Sequence, residues 1–548
     1  MRKTIWIIPL FLVTIIGCTT GKKQADLILT NGVVYTVDET FSVAQAIAIK
    51  DHRILAVGSD QEITGNYQST RIRNLKGAFV YPGWIDAHCH FFGYGMNLNA
   101  VDVAGTTSVE EIISMLKAHH QEHPGTWITG RGWDQNDWAV QEFPDRSMLD
   151  EHFPDVPILL RRIDGHAAWV NTLALDLAGI TAGTRMEGGT VMLTDGVPNG
   201  ILIDNAIGLV GSKVPAPTRN EMIQALQQAE KNCFQVGLTS VYDAGLSRDV
   251  VLLIDSLHGA GSLQIRMNAW LTPSKENFTH FVEQGSYQTD HLSVNTIKLF
   301  TDGALGSRGA RMIEPYSDDP GNYGLFVTPL DQLEEYCRKA YDNHYAVATH
   351  CIGDAANRET LKIYAGILGG KNDLRWRIEH AQIIHTDDFH YFGDYNIVPS
   401  VQPTHATSDM YWAEQRVGPA RMEGAYAYKK LLEQNGWIPN GSDFPVEQIN
   451  PLFGFYAATV RKDQLGTPEH GFQMENAISR KDALRAMTIW AAKSGFEEQM
   501  KGSIETGKLA DLVVTGTDLM TAPEEDLFNI KVLTTYSGGE VVYERADR

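Results

Sequence analysis

The chemistry this chain can do rests on four histidines, one lysine and one aspartate. Asp86-Ala87-His88-Cys89-His90 closes an apolar run. Successive side chains of a strand alternate between faces, so His88 and His90 share one face and Cys89 takes the other. Two imidazoles on one face can hold a metal ion, or they can simply line a polar cleft. His350 and His380 each end a further apolar run, and Asp443 ends the last, in Gly441-Ser442-Asp443-Phe444-Pro445. So many adjacent imidazoles would repel one another on protonation, and a shared metal removes that difficulty. Lys298 lies inside a strand-like run, Thr296-Ile297-Lys298-Leu299-Phe300-Thr301-Asp302. Burial there opposes a charged amine. It either pairs with an acid such as Asp302, or is a neutral amine that takes up carbon dioxide as a carbamate, an anion able to bridge two metals.

The elements that must position these residues alternate between strand and helix. Runs at 78–90, 238–243, 264–271, 294–302, 346–350, 376–380, 397–405 and 437–443 are apolar and end in polar residues. Helix starts between them carry capping boxes at Ser108/Glu111, Thr218/Glu221 and Ser479/Asp482, where a hydroxyl and an acid satisfy free backbone N–H groups. This pattern is that of an α/β chain forming a (β/α)8 TIM-like barrel over 81–500, with chemistry at the strand C-termini. Residues 91–217 are too many for one crossover and predict an insertion capping the mouth. Both chain ends read as short strands: 25–80, with hairpins at Asn31-Gly32 and Asp51-His52-Arg53, and 501–548, with a hairpin at Ser537-Gly538-Gly539. Together they predict a small β-sandwich domain built from both ends.

Composition narrows the partners. The chain has 548 residues, with 46 Lys and Arg against 67 Asp and Glu, a net charge of −21 at pH 7. No basic stripe is available to displace counterions from a phosphate backbone, so a nucleic-acid partner is excluded. Arg2 and Lys3 precede an apolar run from Ile5 to Ile16, a secretory signal shorter than the ~20 residues of a spanning helix. Ile15-Ile16-Gly17-Cys18 resembles a bacterial lipoprotein cleavage box. The expectation is a signal peptide over 1–17 and a tether over 18–24. Lipid on Cys18 would anchor an exported enzyme to a membrane on the periplasmic or extracellular side. Cys89, Cys233, Cys337 and Cys351 show no disulfide framework and read as buried thiols.

Taken together, the motifs resemble the amidohydrolase superfamily, in its family-3 branch with N-substituted formamide deformylase. They are Pro82-Gly83-Trp84-Ile85-Asp86-Ala87-His88-Cys89-His90, Gly130-Arg131-Gly132-Trp133-Asp134, Asp164-Gly165-His166-Ala167-Ala168, Lys298 through Arg308, His350-Cys351-Ile352-Gly353-Asp354, Arg377-Ile378-Glu379-His380-Ala381, Gly441-Ser442-Asp443 and Gly507-Lys508-Leu509-Ala510-Asp511. The resemblance implies a metal-dependent hydrolase of small-molecule amides in which His88, His90 and Asp443 bind one ion, His350 and His380 a second, and a carbamate on Lys298 bridges them. Zinc is the first choice for such ligands. Asp443 then accepts the proton of the attacking water and delivers it to the departing amine. His405 is a candidate for orienting substrate, and His166 and Arg308 for contacting it. Either Trp133 walls the pocket and Asp134 binds a polar group, or both hold the insertion together. Two other functions stay open: a deaminase or cyclic amide or ester hydrolase on the same fold, and a lipid-anchored solute-binding protein without chemistry. A bridging lysine disfavours the first, and a full ligand set with Asp443 disfavours the second. A homodimer also stays open.

Overall fold

The computed structural model describes residues 21–98, 100–122 and 126–546. The expected leader and Cys18 lie outside them. No helix among the described residues is long and apolar enough to cross a membrane.

Seven parallel strands form a nearly closed barrel in chain order: Trp84–Cys89, Leu238–Leu246, Arg266–Leu271, Leu292–Phe300, Ala346–Cys351, Arg377–His380 and Val398–Ser400. Helices on the outside bury the strands' outer faces, which is why the strands read as continuous apolar runs. Of the three expected capping boxes one is reciprocal, since Glu111 reaches Thr107 N and Asp482 the Ser479 hydroxyl instead of the cap's own N–H. Thr218 and Glu221 form a reciprocal box at the start of Arg219–Gln235, the Ser108 hydroxyl accepts from Glu111 N, and that of Ser479 accepts from Asp482 N.

Two of the eight runs differ from expectation. The first splits at Gly83: Phe79–Pro82 pairs with Leu512–Thr515 in a sandwich sheet, and only Trp84–Cys89 enters the barrel. A Cβ on Gly83 would lie 2.2 Å from Thr239 Oγ1, so only glycine lets the chain pass there. The eighth run, 437–443, forms no regular strand, yet its backbone closes the ring. Val401 N donates to Pro439 O and Gly441 N to Val401 O on one side, while Ala87 N donates to Asn440 O and Asp443 N to His88 O on the other. The reason is local. Gly441 runs so close to the first strand that a Cβ would sit 2.4 Å from His88 N, and Asp443 is left-handed at φ 64°. A continuous pleat accommodates neither.

The chain ends form two facing sheets. One contains Arg53–Gly58, Ala46–Lys50, Leu27–Thr30 and Ile72–Asn74; the other contains Glu540–Glu544, Val532–Ser537, Leu512–Thr515, Phe79–Pro82, Val33–Tyr35 and Val43–Ala44. Leu29, Ile47 and Ile49 from the first pack against Val80, Leu512 and Val514 from the second. The turns at Asp51-His52 and Gly538-Gly539 carry positive φ at both residues, the geometry of a tight hairpin. Asn31-Gly32 makes no hairpin. The strands flanking it belong to different sheets, and the chain crosses the sandwich there, with Asn31 N bound to Asp60 Oδ1 and Gly32 N to Gln45 O. A separate six-stranded sheet, running from Val101–Asp102 to Val197–Asp204 in sequence, has its own core around Ile112, Trp133 and Trp169. All four described cysteines are buried free thiols.

Barrel and sandwich are bolted by a buried bidentate pair. Arg266 Nε lies 2.6 Å from Asp511 Oδ2 and its Nη2 2.9 Å from Oδ1, and Asp511 also accepts from Gly538 N. Asp511→Ala strands the Arg266 charge and is expected to cost ~3–5 kcal/mol in urea unfolding. Adding Arg266→Met, which leaves no charge to desolvate, should recover part of that loss. If the single variant unfolds like wild type, the pair does not join the two bodies energetically.

Candidate metal centre

His88 and His350 are the penultimate residues of the first and fifth barrel strands, His380 ends the sixth, and Asp443 lies in the irregular closing segment. The sequence separates these residues by up to 355 positions, and the barrel places them around one point. Asp443 Oδ1 stands 3.2 Å from His90 Nε2 and 3.4 Å from His88 Nε2.

The other ring nitrogens decide what those Nε2 atoms can offer. His88 Nδ1 lies 2.5 Å from Glu379 Oε2, and His90 Nδ1 lies 3.1 Å from Ala244 O. An imidazole whose Nδ1–H donates to an acceptor presents Nε2 as a lone pair. Two lone pairs and a carboxylate oxygen therefore converge, and Asp443 Oδ1 is buried with no hydrogen bond. A metal ion can take all three as ligands at once. Such a fit is the signature of a metal site whose donors are already oriented.

Electrostatics agree with that reading. Burial, reinforced by the nearby Lys298, pulls His88 down to about 4. Burial and neighbouring imidazoles hold His350 and His380 well below their ordinary value. These rings are neutral and available as ligands. Burial alone would raise the Asp443 carboxyl, but His88, His405 and His90 around it keep it well below the usual range. Lys298 is buried, its Nζ 3.2 Å from His88 Nε2 and over the Phe300 ring. Burial brings its amine down to about 8 against the opposing pull of Glu379 and Asp443. It makes no ion pair with Asp302. That carboxylate is spent on the backbone N–H groups of Arg311, Ile352 and Gly353.

His405 is not at a strand end. Pro403 starts a helix, Pro403–Asp409, directly after the short seventh strand, and this helix carries His405 to 3.5 Å from Asp443 Oδ2 and 3.1 Å from Glu447 Oε1. Burial would lower this histidine, yet the two carboxylates raise it to about 10. By distance, His380, His405 and Asp443 form a second cluster. His350 stands beside it, with its ring 4.6 Å from that of His380 and its Nε2 turned to Gly303 O.

A cavity of about 180 Å³ opens over these residues, lined by His166, His350, His380, His405 and Asp443 and by Asp134, Arg162 and Asp164 from the intervening sheet. His166 Nδ1 lies 2.6 Å from Asp204 Oδ1. Asp134 reaches the wall but is bound to Arg162. Trp133 does not reach it: its ring fills the core of the intervening sheet and its N–H donates to Leu160 O. Arg308 is also away from the cavity, in a cluster with Asp318 and Arg416. The important residue that motif reading passes over is Glu379. It orients His88 and lies 2.6 Å from Arg377 Nε, which in turn stacks on Trp270 and binds Ala87 O. The available signal was Arg377 and Glu379, two opposite charges at alternate positions of one buried strand.

A barrel of parallel strands with imidazoles and a carboxylate gathered at its C-terminal end is the architecture of a metal-dependent hydrolase. The comparisons agree. A model of the amidohydrolase family, Amidohydro_3, matches residues 71–543. Protein LONG AFTER FAR-RED 3 of Arabidopsis thaliana is 36% identical over 541 residues, covering 95% of this chain and 92% of that protein. N-substituted formamide deformylase of Arthrobacter pascens is 26% identical, covering 95% and 99%. The crystal structure of an uncharacterized metal-dependent hydrolase from Pyrococcus horikoshii superposes with a TM-score of 0.73 at 27% identity, covering 91% and 99%. The chain belongs to the amidohydrolase family, and it is a hydrolase of carbon–nitrogen bonds.

Glu379→Gln tests the orienting role. It keeps the shape but weakens the hold on His88, and should lower metal affinity about 10–100-fold in chelator competition. Burial would raise Glu379, but Arg377 and His88 hold it at about 2, below its ordinary 4.5. Its stabilising contribution is therefore present above about pH 4.5 and lost as pH falls toward 2. The variant should lack that acid limb, and unchanged metal affinity would remove Glu379 from the site.

Proposed function

We propose that the protein hydrolyses the C–N bond of a small amide, an N-formyl or N-acyl compound, with two divalent ions, zinc being the first choice. The observation that carries this is the buried, unbonded Asp443 Oδ1 facing the Nε2 lone pairs of His88 and His90. Those three would hold one ion. His350 and His380, kept neutral by burial, would hold the second. His405, flanked by two carboxylates, is an imidazolium with both nitrogens donating, and so positions Asp443 instead of ligating. Lys298, with a lowered pKa and no paired acid, is suited to form a carbamate bridge. The similarity to a formamide deformylase supports an N-formyl or N-acyl group. The leader motif adds a proposed place, an exported enzyme tethered by lipid on Cys18.

The bound ions supply a water of lowered pKa and a polarised carbonyl. The chain's own residues do the rest. Asp443 takes a proton from the attacking water as the new C–O bond forms. His405 holds its second oxygen, so the carboxylate keeps one orientation through the transfer. As the C–N bond breaks, Asp443 returns the proton to the amine nitrogen. His166, fixed by Asp204, contacts the substrate at the cavity wall. Metal content followed by turnover of N-formyl, N-acyl and cyclic amides tests the whole reading. Full metal loading without turnover of any of them would favour a binding protein.

Asp443→Asn should keep fold and metal but lose ~10²–10⁴-fold in turnover, because an amide cannot carry the proton. Near-normal rates in a metal-loaded variant would remove Asp443 from proton transfer. Lys298→Ala should lose metal together with activity, since paired ions about 3.5–4 Å apart need an anion between them. Lys298→Arg should fail likewise, because guanidinium stays charged. A short carboxylic acid added to Lys298→Ala should restore part of both. A fully metal-loaded enzyme with an unmodified ammonium at Lys298 would exclude the bridge.

A further inference from the structure

Arg131 and Arg161 are direct partners in the parallel ladder that joins Ile128–Trp133 to Ile158–Arg162. Their side chains therefore leave the sheet on the same face, side by side. Like charges placed opposite one another on neighbouring strands are destabilising, so such a pair is expected to be answered by acid. It is not. Among the described residues Arg161 has no hydrogen-bond or ion-pair partner. Arg131 spends one amino group on Ile163 O at 2.5 Å, and its Nε is buried with no partner. The adjacent Arg162 shows what an answered arginine looks like here, clasped between Asp134 and Asp164. In a chain with 67 acidic residues and a net charge of −21, two neighbouring guanidiniums without a carboxylate of their own are conspicuous. Burial costs both of them, pulling Arg161 down and Arg131 to about 10 although Asp443 and Asp164 pull the other way.

Both arginines line a cavity of about 320 Å³ whose floor is made by His90, Lys298, His380 and Asp443. This is the hydrolytic centre seen from the side of the intervening sheet. A guanidinium presents a planar fork matched to a carboxylate, and two of them side by side, half-buried in the cavity wall, form an incomplete ion pair awaiting its anion. We infer that Arg131 and Arg161 form an anion subsite, and that the substrate is an amide bearing a carboxylate a few bonds from the scissile carbonyl. This inference rests on the hydrolase reading for its scissile bond, but the subsite itself can be tested without turnover. The anion relieves the repulsion between the two arginines, so part of its binding comes from strain already present in the free protein. Neutral amides gain none of this, and the wall thereby selects for charge.

The probe is levulinate, which is N-acetylglycine with a methylene in place of the nitrogen, compared with the neutral alcohol in which a hydroxymethyl replaces the carboxylate. Neither has a C–N bond, so a failure to hydrolyse amides would overturn the proposed function and leave this measurement standing. In calorimetric titration of the metal-loaded protein, levulinate should bind at least about 10-fold more tightly than the alcohol, as charge-assisted pairs exceed neutral ones. Arg161→Met and Arg131→Met, at unchanged metal content, should each bring that ratio close to one, and Arg161→Lys should keep part of it. Equal binding of the two probes by wild type overturns the subsite. So does a preference that survives both methionine variants, since the carboxylate would then sit on the metal. Should a methionine variant fail to fold, phenylglyoxal modification of Arg161 in wild type decides: levulinate should slow it and the alcohol should not. Modification at the same rate with either probe overturns the inference.

Discussion

Three acceptor atoms aimed at one point suit a bound cation, and the centre of this molecule is arranged to present them. The Nε2 atoms of His88 and His90 meet Asp443 Oδ1 within 3.4 Å. In water the imidazoles would solve the problem by protonation. Here burial holds His88 at about 4, so its ring stays neutral. Glu379 and the Ala244 carbonyl take the Nδ1 protons and fix the tautomers. Arg377 keeps Glu379 ionised and ties it to Trp270 and the first strand. The protein has thus spent desolvation, a buried ion pair and two oriented rings on one empty-handed carboxylate oxygen.

That oxygen is delivered by the least regular part of the barrel. A standard eighth strand would place residue 443 on the pleat, pointing in or out by parity. Instead the segment crosses the gap with hydrogen bonds to both neighbours. Glycine at 441 permits the close approach, and positive φ at 443 turns the carboxylate over the ring of histidines. His380 is left-handed as well, at φ 69°. Strained backbone gathered at a chemical centre is tolerated only where the surroundings over-determine it. The rigid barrel behind these residues, plugged inside by Ile85, Tyr242 and Trp270 against Ala491 and Ala492, provides that support.

The intervening sheet completes the site by making a wall of charge. Arg162 is neutralised by Asp134 and Asp164, and His166 by Asp204, so these groups are set in fixed orientations at the cavity. Trp133 and Trp169 fill the core behind them. The wall carries paired charges, and it differs in character from the barrel floor, where burial keeps His88, His350 and His380 neutral. One surface is suited to hold ions and the other to read the substrate.

Much of this was legible in the chain itself. The His-x-His strand end, His350 and His380 after apolar runs, the lysine within a strand and the terminal Asp443 are local patterns, and local patterns follow from strand periodicity and capping chemistry. The alternating architecture and the sandwich made from both ends are legible for the same reason, since hydrophobic period and turn residues act over a few neighbours. What only the tertiary structure decided are matters of long-range contact. Gly83 splits one apolar run between two domains because Thr239 lies against it. Asn31-Gly32 crosses between sheets instead of turning back, because a tight-turn dipeptide does not specify which strand its successor meets. Glu379 became the orienting group for His88, 291 residues away, only once two strands were brought to face each other. Trp133 went to a core and Arg308 to a surface cluster, while Arg131 and Arg161 met across a ladder whose register no local signal encodes. Residue type and spacing set which side chains are able to do chemistry. Which of them stand within 4 Å of one another depends on pairing register and barrel closure, interactions summed over the whole chain.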